Sequence, residues 1–191
     1  MKKKIRVLCL AIVLAALLCL YTFRVVQLNR AWPAPVRETY AIGETVPGPF
    51  NTEVVVHSAR WMTDEEAEKY NANTNAWEHI GIVVDVSVTN MGDESIFDDR
   101  TSWMPMGGFW TNGMNMDAYM EMNPDRERVT GDVRIDPGET VRALYAYDLN
   151  DVQFPADRWA TAAERPYQLV IASYPVLRVV ELFPENLPQN S

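Results

Sequence analysis

Cysteine is nearly absent from the 191 residues: there are two, Cys9 and Cys19, and both lie in the apolar run near the start of the chain. The remainder has no thiol with which to build a disulfide framework or a cysteine-ligated metal centre. It must be held by its own core, which roughly 145 residues can supply. Histidine is equally scarce, with only His57 and His79. No Gly-x-Ser-x-Gly elbow occurs. His57 and Ser58, neighbours on an expected strand, point to opposite faces and cannot pair as base and nucleophile. His79, between Trp77-Glu78 and Ile80, reads as a solvated residue at a strand start. These absences lead us to expect no enzyme. Cations are also missing from most of the chain. Residues 1–37 hold Lys2, Lys3, Lys4, Arg6, Arg24, Arg30 and Arg37 and no acid; residues 38–191 hold the other 10 of 17 basic residues against all 26 acids, a net charge of −16. Lys69 is the only lysine beyond the tail. Nothing there offers the basic stripe that a nucleic-acid backbone requires, and so acidic a region is repelled by DNA and anionic lipid.

What is present begins with MKKKIR, then VLCLAIVLAALLCLYTF and Arg24. The uncharged run 7–23 would span about 26 Å as a helix, the short end for a membrane crossing. VVQL can extend it if Arg24 snorkels to the interface. Four cations before the run favour a cytoplasmic N-terminus and an extracytoplasmic C-terminal domain, single-pass in the cell membrane. Signal cleavage needs small residues at −3 and −1, and Asn29 and Trp32 fill the −3 places before Ala31 and Ala34. A lipoprotein needs a small residue before its cysteine, where Leu8 and Leu18 stand. An uncleaved signal anchor is the expectation. The chain then divides into a tail and anchor (1–24), a stalk stiffened by Pro33 and Pro35 (25–38), a β-domain (39–185) and a short C-terminal tail (186–191).

The β pattern is clearest in IGIVVDVSVTN, 80–90, where Ile82, Val84, Val86 and Val88 share one face and Asp85, Ser87 and Thr89 the other. EVVVHSARW (53–61), TVRALYAYDL (140–149), PYQLVIASY (166–174) and VLRVVELF (176–183) are further strands, with Pro175 marking a bend. MGDES and IDPGE read as turns. TDEEAEKYNAN, 63–73, carries a capping box in Thr63 and Glu66 and acids in its first turn, and predicts one short helix. Short strands, one helix and many Pro/Gly turns predict an all-β sandwich rather than a parallel α/β sheet. Its expected core is Val54, Val56, Ile82, Val84, Val86, Val88, Tyr145, Tyr147, Leu169 and Ile171. On 140–149 the pattern leaves open which face is buried: Val141, Ala143, Tyr145 and Tyr147 compete with Leu144 and Ala146.

Three stretches in order, YAIGETV, VVDVSVTNMGDESI and IDPGETVRALYAYDL, resemble the opening, the Asn and Gly-Asp-Glu signature, and the Pro-Gly-Glu signature of a family of immunoglobulin-like domains on membrane-anchored or secreted proteins of Gram-positive bacteria. The resemblance spans about residues 39–183. It implies an immunoglobulin-like β-sandwich and an envelope location, and it carries over no catalytic residues. The helix at 64–70 and a Met/Trp-rich stretch depart from the family pattern.

That stretch, SWMPMGGFWTNGMNMDAYMEM (102–122), holds six of the nine methionines. Soft thioethers in Met-x-Met spacing suit Cu(I), and on strands Met104 with Met106, Met114 with Met116, and Met120 with Met122 would each share a face. The stretch has no histidine, and GG and NG break it into turns. Methionine also fills cores beside rings such as Trp103, Phe109, Trp110 and Tyr119, and Met/aromatic surfaces serve as partner sites. Trp103, Trp110, Met114, Met116 and Tyr119 are thus the partner-binding candidates, and Met104, Met106, Met114 and Met116 the metal candidates. The acids Asp93, Glu94, Asp98 and Asp99, and the pair Asp148 and Asp151, could serve calcium or glycoside hydrolysis. They lack the EF-hand spacing and read as solvated surface. No cofactor is expected. The reading is a non-catalytic, membrane-anchored binding or accessory module of the bacterial envelope with a protein partner. The alternative is an extracytoplasmic metal-binding protein, taking Cu(I) through methionines or Ca²⁺ through acidic loops.

Overall fold

The apolar run folds as one long helix, α1 (Lys2–Ala31), in a computed structural model that describes residues 2–70, 79–97, 103–108, 110–124 and 134–185. Within it Ala11–Ala31, 21 residues, is long and apolar enough to cross a membrane, about 32 Å at helical rise. The helix runs past the expected anchor boundary at residue 24 and takes in the first seven residues of the expected stalk. VVQLNRA contains no helix breaker, and only Pro33 and Pro35 forbid continuation. The chain divides into two compact units, Met1–Val36 and Arg37–Ser191.

The elements after α1 are β1 (Val36–Tyr40), β2 (Thr45–Gly48), β3 (Thr52–Trp61), α2 (Asp64–Tyr70), β4 (His79–Asn90), β5 (Ile96–Phe97), β6 (Met104–Gly107), β7 (Trp110–Thr111), α3 (Met116–Met122), β8 (Arg134–Ile135), β9 (Thr140–Asn150), α4 (Ala156–Trp159), β10 (Tyr167–Ala172) and β11 (Val176–Leu182). They form a β-sandwich. One sheet has the order β2-β3-β4-β9, the other β1-β11-β10-β6-β7, and β5 with β8 makes a small ribbon. All ten residues expected in the core are buried, and they join Leu182, Val180 and Tyr167 in one cluster. The Tyr174–Pro175 peptide at the β10–β11 bend is cis.

The sequence predicts one short helix after the anchor; among the described residues there are three, α2, α3 and α4. Helix α2 starts where the capping box places it: Thr63 Oγ accepts from Glu66 N at 3.2 Å, and the Glu66 carboxylate accepts from Thr63 N at 2.9 Å. Residues 71–73 of the expected helix lie outside the described residues. The Glu66 carboxylate also takes both arms of the Arg60 guanidinium at 2.7 Å, tying the helix to the end of β3. That bidentate pair holds the Glu66 carboxyl below its usual range.

Both candidate faces of β9 prove to be buried in its second half. Val141, Ala143, Tyr145 and Tyr147 face the main core, while Ala146 joins Met62, Val83 and Ala118 in a second cluster. Ala67 and Tyr70 of α2, Met122 of α3 and Leu144 pack on that cluster. Two helices on the outer face of the sheet thus make a strand that would be one-sided into a two-sided one. Gly81 permits this closeness: a β-carbon there would lie 2.3 Å from the Met62 sulfur.

The two turns that carry the family resemblance meet in space. Asn90 is fully buried at the end of β4. Its amide donates to the carbonyls of Glu94 (2.8 Å) and Ile135 (3.0 Å), and its side-chain oxygen accepts from Gly92 N (2.9 Å). Its backbone N–H donates to Glu139 O at 3.0 Å, and its carbonyl accepts from Gly138 N at 2.8 Å. Asn90 therefore ties the Gly-Asp-Glu turn to the Pro-Gly-Glu turn.

Candidate functional site

The Met/Trp-rich segment pairs with β10 as a short hairpin, β6 and β7, and ends as α3. The strand geometry expected for Met116, Met120 and Met122 is overturned: Asn115 caps a helix there, its side-chain oxygen accepting from Ala118 N at 3.0 Å. MDAYMEM continues with good helix formers. Three expected contact residues are core instead. Trp103, Trp110 and Tyr119 are 3%, 4% and 2% exposed. The Trp110 ring stacks on Phe154 at 5.9 Å and meets Tyr167 edge-on at 5.8 Å. Its indole N–H donates to Gln153 Oε1 at 2.9 Å. Trp103 and Tyr119 both pack on Tyr145, at 5.9 Å and 5.3 Å. Large flat rings beside a two-sheet interior gain more by burial than they could while waiting in water for a partner.

The thioethers are dispersed. Met104 and Met106 lie on one face of β6, the face opposite buried Pro105 and Gly107. Met114 packs against the main core, whereas Met122 packs against the second cluster on the other side of the β2-β3-β4-β9 sheet. Met116 is half-buried at the start of α3, and Met120 is exposed. Met104 and Met106 thus keep the shared face expected of them, while Met114 and Met122 lie on opposite sides of one sheet. Phe109 lies outside the described residues, as do Asp98, Asp99 and Trp77.

The segment has a different structural task, carried by residues that sequence reasoning missed. Strand β9 is an edge of its sheet, and its outward backbone groups need partners. Asparagines supply them. Asn123 accepts from Leu144 N at 2.9 Å and donates to Leu144 O at 2.9 Å; Asn112 donates to Asp148 O through its amide. The backbone N–H of Asn115 donates to Ala146 O at 2.8 Å, and its side chain donates to Asp148 Oδ2. Side-chain amides thereby stand in for a neighbouring strand. The signal was legible in principle, as three asparagines at the turns of a Met-rich stretch. Asn123→Ala removes three hydrogen bonds, one of them to Tyr119 O. It should cost about 2 kcal/mol in urea unfolding and make the purified protein self-associate through the opened edge.

His57, which cannot reach Ser58, pairs across the sheet instead. It stands at a bulge between Val56 and Ser58, and its Nε2 lies 2.8 Å from Ser87 Oγ on the outer face. Asp85, two residues along β4, is held by both arms of Arg142 at 2.8 and 2.6 Å. The serine-histidine contact lies on the outer face of the sheet, and the Asp85 carboxylate is oriented on the Arg142 guanidinium. His79 is half-buried, with Nε2 3.4 Å from Ala67 O. Among the described residues, no three His, Cys, Asp or Glu side chains converge as a metal site. That covers Asp93, Glu94, Asp148 and Asp151.

One exposed feature stands apart. At the β2–β3 turn Phe50 and Asn51 both adopt φ 56°, and they are the only non-glycine residues with positive φ among those described. Left-handed backbone costs an ordinary residue about 1–2 kcal/mol. Phe50 is nonetheless 70% exposed, the highest value of any large hydrophobic described, and Met91 is 51% exposed. Met91 N donates to Asn51 O at 2.9 Å, and Asn51 Nδ2 donates to Met91 O at 3.1 Å. These bonds join the backbone of the β2–β3 turn to that of Met91, so both residues stand on one tip, beside the turns that Asn90 gathers.

Two packed sheets with an apolar helix ahead of them in the chain define the class: a β-sandwich protein with an N-terminal helix long and apolar enough to cross a membrane. Residues 37–178 match a family described as a domain of unknown function (DUF5028), and the chain belongs to that family. No curated protein matches it in sequence. The fold is similar to that of the yjhA protein from Bacillus subtilis, at TM-score 0.48 and 12% identity over 75% of this chain and 99% of that one. An uncharacterized β-sandwich protein from Clostridium difficile gives 0.45 and 10% over 78% and 96%. A functionally unknown protein from Listeria monocytogenes gives 0.48 and 14% over 75% and 82%.

Proposed function

We propose that this protein is a non-catalytic, membrane-anchored accessory module that holds an immunoglobulin-like sandwich on the extracytoplasmic side of a bacterial membrane and binds a protein there. The observation that carries the reading is the apolar helix Ala11–Ala31, placed directly before a β-domain of strongly acidic composition. Four cations ahead of the apolar run favour retention of its N-terminus in the cytoplasm. Topology is tested in a Cys9→Ser, Cys19→Ser background with single cysteines at Lys3 or Asp157. A membrane-impermeant maleimide added to intact cells should label Asp157→Cys and spare Lys3→Cys; the reverse pattern would overturn the reading. Turnover of a substrate by the purified protein, abolished by His57→Ala, would overturn its non-catalytic part.

A further inference from the structure

We propose that the Phe50–Met91 tip is the docking surface for a protein partner whose binding site is an apolar socket bordered by basic side chains. The inference rests on the binding-module reading and names its surface.

Three observations converge on this tip. The most exposed large hydrophobic side chain described, Phe50, sits on left-handed backbone, flanked by a second left-handed residue, Asn51. A bulky residue in that region calls for a compensating role, and burial does not supply one here, since the side chain is 70% exposed. The tip is held firmly. The two Asn51–Met91 hydrogen bonds join the β2–β3 turn to the end of β4, and buried Asn90 fastens the neighbouring turns. An aromatic carried on a hydrogen-bonded turn beside a methionine is the composition of an interface anchor, because the backbone that presents it need not be ordered on binding.

The charge around the tip selects the partner. Exposed acids Glu53, Asp93, Glu94, Asp136 and Glu139 lie on the strand ends and turns gathered there; among the described residues Arg134 and Arg178 are nearby cations, and Arg178, which donates to the Pro47 carbonyl, is engaged by Glu38. Arg134 is itself engaged by Asp136 at 3.1 Å. An apolar tip at an end of the sandwich where exposed acids outnumber cations repels an anionic lipid surface and a second copy of the same tip, and it attracts a basic rim. The tip also lies at the end of the sandwich away from the Trp61–Tyr167 contact, beside which Arg37 brings the chain into the domain through Gln168.

The test is photocrosslinking in the full-length chain, in membranes of the cells that make it, with a benzophenone amino acid in place of Phe50 or Met91. Val152 and Phe183, exposed hydrophobics at the other end of the sandwich, are the comparison positions. We expect one protein adduct from both tip positions and none from the comparison positions. The adduct protein, identified and purified, should bind the full-length chain at least tenfold more weakly after Phe50→Gly, and more weakly at high salt. Phe50→Gly relieves the left-handed backbone, so its melting temperature should not fall; a fall in stability with binding intact would make Phe50 structural and overturn the proposal. So would an adduct to lipid or to a second copy. Adducts from Val152 or Phe183 alone would sink the tip while leaving the binding module standing. No protein adduct from any position would sink both.

Discussion

Tyr167→Ala should destabilise the β-domain by about 4 kcal/mol, the range for removing a large buried aromatic. In a domain of this size that corresponds to a fall in melting temperature of about 10 °C. The side chain is fully buried. It meets Trp61 edge-on at 5.8 Å and Trp110 edge-on at 5.8 Å, and its hydroxyl donates to Ala162 O at 2.8 Å. It thereby joins the end of β3, the β6–β7 hairpin and the turn after α4. Its ring lies so close to Gly107 that a β-carbon there would fall 2.5 Å from Cε1. The glycine pair that breaks the Met-rich stretch into turns therefore also makes room for this ring. Burial pushes the phenol up to about 12, against about 10 in an unfolded chain. The neutral form is the one the fold holds, so the stabilisation is intact below about pH 10 and is lost as pH rises from there toward about 12. Thermal unfolding tracked by circular dichroism across that window should show the loss. Tyr167→Phe should reduce it, while keeping most of the packing.

Asn90→Ala should cost about 3 kcal/mol in urea unfolding. Three side-chain hydrogen bonds disappear, the one to Ile135 O buried and those to Glu94 O and from Gly92 N part-buried, and two carbonyls and an N–H lose their partner. The residue is 0% exposed, so water cannot replace the amide without opening the end of the sandwich. The effect should reach beyond one turn. Faster hydrogen exchange is expected at Gly92 and Gly138 together, because the same residue anchors both turns. Exchange faster at Gly92 alone would show that the Pro-Gly-Glu turn stands without Asn90. The Asn, Gly-Asp-Glu and Pro-Gly-Glu pattern is thus explained by architecture: it is a lock between turns, and it names a fold without naming an activity.

Some of this was legible in the order of residues. Alternation in 80–90 placed Ile82, Val84, Val86 and Val88 in the core because a strand sends every second side chain the same way. Thr63 and Glu66 marked the start of α2 because a capping box is a reciprocal contact between neighbours. The methionine stretch was legible only in part, for the opposite reason. Met-x-Met suggests a strand face only if a strand is present, and the Asn115 cap, with the edge of β9 to bind against, made 116–122 helical instead. His57 was excluded from pairing with its sequence neighbour, correctly, yet its partner Ser87 is 30 positions away and became adjacent only through the β3–β4 register.

The sequence by itself determined the apolar helix, the mainly β character of the domain that follows it in the chain, the ten core positions and the turns that carry the family likeness. Each of these rests on periodicity or on contacts within a few residues. Only the tertiary structure decided that Trp103, Trp110 and Tyr119 are core rather than surface, that β9 is buried on both faces, and that asparagines close its edge. It alone set Phe50 out in water on a left-handed turn. Burial and edge-pairing depend on which distant elements arrive, and the packing of one sheet on another and of two helices behind it is what settles that.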